Sequence, residues 1–239
     1  AYPMLKAAKF PATIFLTTSL INKEGAYGGL IWTDYVGLVL KNARNKTIDL
    51  SDLGIGVIKL NSASESKAAR SSVNTVLKKL NDAEKNRMIT VIAERANPIL
   101  PLEGGELFQG LEWDEILNLS REGLIEFGGH TVNHEILTRL SVEKCEKEIR
   151  ESKEIIEGGT KVSILHFAYP NGTKDDYNEK IKKITAGYYE SALTTIDSLN
   201  AVGDDLYELR RINIGNDMTL LEFKLAVSGT LTFLRKIFK

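Results

Sequence analysis

"EFGGHTVNHEILTRLS", residues 126–141, carries two of the chain's three histidines, His130 and His134, four positions apart. An apolar run from Leu124 to Phe127 leads into paired glycines, Gly128 and Gly129, and then into the first histidine. Such a run, bounded by glycine, reads as a buried strand. In parallel α/β folds the loop after a strand is where active sites gather. Side chains four apart on a helical turn share one face, with Cβ atoms roughly 5–6 Å apart. Two imidazoles at that spacing can converge on one zinc ion. The glycines would let the backbone turn tightly or approach a ligand closely. Two histidines alone fall short of a zinc ligand set, and the same pattern suits two partly exposed polar histidines at a helix start.

Downstream of this stretch the pattern alternates. Ser141 can cap a helix running to about Glu157, with Val142, Cys145, Ile149 and Ile156 as its apolar stripe and Gly158-Gly159 as its stop. Glu143–Lys147 and Glu146–Arg150 are spaced as ion pairs on its wet face. Val162–Tyr169 reads as a strand, Tyr177–Thr185 as a helix, Ser191–Thr194 and Leu209–Ile214 as two more strands, and the tail from Leu220 as helix. Upstream, Glu112–Arg121 reads as a helix with Gly123 just past its end, and Ala12–Thr17 as a buried strand after a short helix. Strand and helix in alternation imply a parallel sheet.

Residues from about 22 to 110 interrupt this rhythm. Leu30–Leu40 is an apolar helix, Thr47–Leu60 a hairpin or irregular strands, and Val73, Val76, Leu77 and Leu80 one face of a helix. Asn81 and Glu84 form a capping box for a further helix, and Pro98 and Pro101 end the region. The chain reads as one domain over 1–239 carrying a helix-rich insertion, with a separate small helical domain as the alternative.

The totals bound the function. A chain of 239 residues, 43% hydrophobic and 26% charged, can build a real core. A net charge of −1 points away from nucleic acid. The single Cys145 excludes an internal disulfide. No run reaches the length of a membrane span. The apolar, cationic tail Phe223–Lys239 reads as a final helix packed on the fold rather than a membrane contact.

His130-Thr131-Val132-Asn133-His134 resembles the H-[S/T]-x-x-H motif of the polysaccharide deacetylase family, the NodB-homology carbohydrate esterases. Trp113-Asp114-Glu115-Ile116 through Glu126-Phe127-Gly128-Gly129 resembles the helix and strand before that motif. Phe10-Pro11-Ala12-Thr13-Ile14-Phe15-Leu16 is similar to the family's F-P-A-T-F-F-L strand. Phe167-Ala168-Tyr169-Pro170-Asn171-Gly172 resembles the third motif of the branch that reads F-A-Y-P-x-G. Ala192–Thr195 and Leu209–Ile212 resemble later segments of that branch.

The resemblance implies a distorted, incomplete (β/α) barrel of about seven strands. It implies a metal-dependent hydrolase that removes acetyl groups from N-acetylated amino sugars of a polysaccharide or oligosaccharide, in the cell envelope or secreted. His130 and His134 would hold a divalent metal, Zn2+ first among them. The backbone N–H of Asn171 would donate to the oxyanion. Tyr169 and Pro170 would border the sugar; by their chemistry alone Tyr169 and Trp32 suit a sugar groove, with an ordinary core aromatic as the alternative for Tyr169 and the preferred reading for Trp32. Arg211 would hold the base, or else form a surface salt bridge. His166 would be a proton donor or a supporting residue, or else a satisfied core histidine. The family's T-F-D-D motif, which supplies the base and a third ligand, is expected upstream of Ala1. Asp175-Asp176 and Asp204-Asp205 read as solvated loops and do not replace it. The family's late L-x-H histidine has no counterpart here, and Ala168 stands where other branches carry arginine. The chain is thus part of a deacetylase or a degenerate member. A non-catalytic carbohydrate-binding module and a hydrolase of other amides are the competing readings.

Overall fold

The computed structural model describes residues 2–23, 27–100, 102, 110–215 and 217–230. Helix α1 (Tyr2–Ala8) leads into β1 (Ala12–Leu16). An insertion follows: α2 (Trp32–Lys41), β2 (Thr47–Leu50), β3 (Gly56–Lys59), α3 (Ala63–Leu77) and α4 (Asp82–Ala96). Helix α5 (Trp113–Arg121) returns the chain to β4 (Ile125–Gly129). Then come α6 (Val142–Thr160), β5 (His166–Ala168), α7 (Glu179–Ala186), β6 (Ser191–Asp197), β7 (Leu209–Arg211) and α8 (Leu220–Val227).

Five strands form one parallel sheet in the order β1-β4-β5-β6-β7. Each strand lies beside the one before it, so the order never reverses. That is the succession of a (β/α) barrel arc, not of a doubly wound sheet. Among the described residues no strand pairs with the outer edge of β1 or β7. The other two strands, β2 and β3, make an antiparallel hairpin inside the insertion.

Two apolar cores result. Under the sheet, Ile116, Phe127, Ile149, Ile156, Phe167 and Tyr189 pack together. In the insertion, Trp32, Val36, Val73, Leu77, Ile89 and Ile92 form the second. The capping box read at Asn81 and Glu84 forms in both directions.

Several sequence expectations are corrected. Helix α6 does not stop at Gly158-Gly159 but runs through both to Thr160, with Lys161 taking the left-handed position (φ 61°). Gly159 is there for packing: a Cβ would come within 2.2 Å of the Trp113 ring. Val142 is exposed, and Ser152 and Thr160 join Cys145, Ile149 and Ile156 on the buried stripe. The ion pairs on the wet face are Lys147–Glu151, Arg150–Glu151, Arg150–Glu154 and Lys153–Glu157, and the Glu146 carboxylate accepts from the Tyr188 hydroxyl instead. Strand β5 is only three residues long; just before it the Glu157 carboxylate accepts from the Ile164 N–H at 2.9 Å, and the Leu165 carbonyl accepts from the Glu190 N–H at 2.8 Å. Pro101 and residues 231–239 of the tail lie outside the described residues.

Candidate metal centre

His130 follows directly on β4, and its N–H donates to the Leu16 carbonyl of β1 at 3.0 Å. The segment after it is a loop and not the helical turn its spacing suggests. Thr131 (φ 65°) and His134 (φ 57°) both adopt the left-handed region. This double reversal folds the loop so that the two imidazoles meet edge to face, with centroids 4.8 Å apart. Buried Thr131 holds it: its hydroxyl donates to the His130 carbonyl (2.6 Å) and accepts from the His134 N–H (2.9 Å). Glu148 on α6 braces the same loop, accepting from the backbone N–H groups of Val132 and Asn133 (2.9 Å each) and from the Asn133 amide (2.7 Å).

The paired glycines serve packing rather than ligand approach. A Cβ on Gly128 would lie 2.5 Å from the Phe15 ring, and one on Gly129 would lie 2.1 Å from the Tyr189 hydroxyl.

The F-A-Y-P-N-G segment lies at the end of β5. The Ala168 carbonyl meets Nδ1 of His130 at 2.7 Å. Asn171 (φ 56°) and Gly172 (φ 68°) turn the chain back toward β6, where Thr195 fastens it through its N–H to the Gly172 carbonyl and its hydroxyl to the Asn171 carbonyl. Among the described residues, nothing accepts the Asn171 N–H. Arg211 on β7 is half-buried, and its Nε has no hydrogen-bond partner. Its positive charge reaches His130.

Burial pushes both imidazoles below their ordinary range. For His130, burial dominates and the Arg211 charge adds to it, against the Ala168 hydrogen bond. For His134, burial, then His130, then the positive charges of Lys85 and Lys78 bring the value to about 3. Both rings are therefore neutral at neutral pH, as metal ligation requires. Donation from Nδ1 to Ala168 leaves the Nε2 lone pair of His130 free, the second-sphere arrangement found at histidine metal ligands. The pair fits two positions of a zinc site. A catalytic zinc takes three protein ligands, and no group of three such side chains occurs among the described residues.

Other expected site residues lie elsewhere. His166 opens β5, bonds Ser191 Oγ through Nδ1 (2.9 Å) and lines a cleft at the N-terminal end of the sheet, away from the histidine pair. Tyr169 is 0% exposed, stacks on Tyr177 and donates to the Tyr207 carbonyl, so it borders no sugar groove. Pro170 is buried, and its carbonyl closes the turn onto the Gly172 N–H. Trp32 is 4% exposed within the insertion core. Asp176 is not solvated: it is buried and accepts from the Thr173 N–H and hydroxyl. Asp205 pairs with Lys182 and Asp204 with Arg210.

Sequence reading missed the loop's supports. Thr131 had a signal, a hydroxyl inside the motif. Glu148 and Lys85 had none, being far away in sequence. Lys85 on α4 reaches out of the insertion to Glu135, the neighbour of His134, at 2.5 Å. A cleft of about 380 Å³ runs beside this junction, lined by Tyr27, Trp32, Asp82, Asn133, Glu135 and Glu148 among others.

A polysaccharide deacetylase family model matches residues 1–188, and the chain belongs to that family. Among solved structures, a de-N-acetylase from Aggregatibacter actinomycetemcomitans aligns with 14% identity and a TM-score of 0.50, over 94% of this chain and 68% of that one. The Streptococcus pyogenes deacetylase PplD, solved in complex with acetate, aligns with 24% identity and a TM-score of 0.46 over 52% of each chain. The BpsB deacetylase domain from Bordetella bronchiseptica aligns with 15% identity and a TM-score of 0.48, over 88% of this chain and 64% of that one. The chain spans about half the length of PplD and of two Bacillus deacetylases. Curated protein sequences give no match. Among the described residues no helix is long and apolar enough to cross a membrane.

Proposed function

We propose that this chain forms the histidine half of a metal-dependent N-deacetylase acting on N-acetylated amino sugars of an envelope or secreted polysaccharide. The observation that carries the reading is the convergence of two half-buried imidazoles, both held neutral by desolvation, at the C-terminal end of the sheet. His130 and His134 would hold a divalent ion, Zn2+ by their donor type. When bound, that ion supplies Lewis-acid polarisation of the amide carbonyl and of a water.

The chain's own residues do the rest. The Asn171 N–H stands free at the end of β5 to donate to the oxyanion. Arg211 places a half-buried positive charge near His130, suited to hold a carboxylate base. In this reading the base and the third ligand would come from outside the described residues, among which no group of three metal-ligating side chains occurs. Attack of water on the carbonyl carbon and cleavage of its C–N bond release acetate and leave the free amine on the sugar.

The test is zinc bound per chain after equilibration and desalting, for this polypeptide and for His134→Ala. Stoichiometric zinc that disappears in the variant supports the reading. Joining a T-F-D-D-bearing segment to the polypeptide should then give acetate release from N-acetylglucosamine oligomers. No zinc above background in either protein would overturn it for the chain as it stands and leave a non-catalytic carbohydrate-binding module.

A further inference from the structure

We infer that the insertion is a working part of the histidine centre, with Lys85 acting as a positioning residue for His134 through Glu135. The inference rests on the reading of His134 as a metal ligand, and its test separates the two.

The Lys85 side chain is 6% exposed and that of Glu135 16%. Their charged atoms lie 2.5 Å apart, Asp82 approaches the same ammonium at 3.4 Å, and the ammonium sits 5.6 Å from the centre of the Trp32 ring. Taking an ammonium and a carboxylate out of water is costly, and a well-packed apolar pair of similar volume often does as well or better for stability. A pair in this setting is better explained by the geometry it fixes.

What it fixes is visible in the loop. His134 has a positive φ, a strained conformation for a residue with a Cβ and one that the chain leaves unless held. Upstream of His134 the loop is held from the barrel side, by Thr131 and by Glu148. Immediately downstream the tether is the Glu135 carboxylate, and its partner comes from α4 of the insertion. The backbone at His134 is therefore flanked by two anchors, Thr131 and Glu148 on the barrel side and Lys85 of the insertion through Glu135. His130 needs no such help, because it continues β4 and is fixed by Leu16 and Ala168.

The experiment compares the full chain with Lys85→Met, Lys85→Arg and Glu135→Gln. Folding is checked by urea unfolding. The readouts are imidazole 1H–15N NMR signals of His130 and His134 without metal, and zinc affinity by chelator competition. Lys85→Met and Glu135→Gln should shift or broaden the His134 signals while sparing His130, and should weaken zinc binding about ten- to a hundredfold. Lys85→Arg should restore most of both. Unchanged His134 signals in a folded Lys85→Met or Glu135→Gln protein would overturn the inference and reduce the pair to a tie between insertion and barrel. If Lys85→Met does not fold, Glu135→Gln, which keeps the shape of the side chain, decides alone. If no protein binds zinc, the metal reading fails, and the metal-free NMR signals still decide whether Lys85 sets His134.

Discussion

Nδ1 of His130 lies 2.7 Å from the carbonyl oxygen of Ala168, so a backbone group at the end of one strand selects the tautomer of the histidine that follows its neighbour. A carbonyl can only accept, and the ring must therefore carry its proton on Nδ1. Long-range 1H–15N correlation on the metal-free chain at neutral pH should show a protonated Nδ1 and a bare Nε2. The reverse tautomer would set two lone pairs against each other and would refute this account of how Nε2 is presented.

Acid should act on the metal-free chain through His134. Its folded value, about 3, lies below its ordinary 6.5, so the unfolded chain takes up the proton first on acidification. The stability contributed by the neutral ring is complete above 6.5. It is lost as pH falls toward 3, by up to about 1.4 kcal/mol per pH unit. Glu135 has the opposite sign. Burial pushes it up to about 7 from an ordinary 4.5, against the pull of Lys85, so its share is present at low pH and lost as pH rises from 4.5 to 7. The two slopes oppose each other between 4.5 and 6.5; below that His134 acts together with carboxylates held low by their partners, such as Asp205 beside Lys182. Urea unfolding of the chain and of His134→Asn at neutral and acid pH isolates the imidazole. The difference between them should shrink or reverse in acid, and a constant difference would contradict the assignment.

Thr131→Val should destabilise the chain by about 1–3 kcal/mol, because the half-buried His134 N–H then loses its acceptor. The His130 carbonyl still accepts from the Thr17 hydroxyl at 3.1 Å, so the loss falls on one group. Thr131→Ser keeps the hydroxyl and should recover most of the stability. Denaturation midpoints of the two variants that coincide would count against this role.

Gly129→Ala should cost about 1–3 kcal/mol by overpacking. Tyr189 cannot easily withdraw, since its hydroxyl is held by Ser152 at 3.0 Å and the Ile149 carbonyl at 3.2 Å. Adding Tyr189→Phe to Gly129→Ala should therefore cost less than the two changes separately. Strict additivity in the double-mutant cycle would show that the two residues do not touch.

The arc of strands and helices was legible because each element announces itself locally. Apolar runs, Ser141 and Asn81 as caps, and the stripe on α6 carry the reading without knowledge of partners. The errors share a cause. Gly159 looks like a stop and is a gap for Trp113; Gly128 and Gly129 look like a ligand approach and are gaps for Phe15 and Tyr189. A glycine demanded by a distant ring has the same letter as one demanded by a turn. At the site, the motifs point to His130, His134 and Asn171, but not to Glu148 or Lys85. Their partners are backbone amides and a neighbouring carboxylate, so nothing in their own surroundings marks them. Tyr169 and His166 lie in or beside a motif, but their side chains face the core and the far end of the sheet.

The place of the insertion between β1 and β4 also has a kinetic consequence. His166 and Ser191, which join β5 to β6, are 25 residues apart, and His130 and Ala168, which join β4 to β5, are 38 apart. Thr17 and His130, across β1 and β4, are 113 apart. Closing that longest loop costs the most chain entropy before any contact rewards it. Refolding should therefore begin among β4, β5 and β6, with β1 zipping on last, after the insertion has condensed around its own core. Pulse-labelled hydrogen exchange would then show Phe167 and Ala192 amides protected before those of β1. Each new molecule would reach its histidine centre only at the final step of folding, when the Leu16 carbonyl arrives to receive His130.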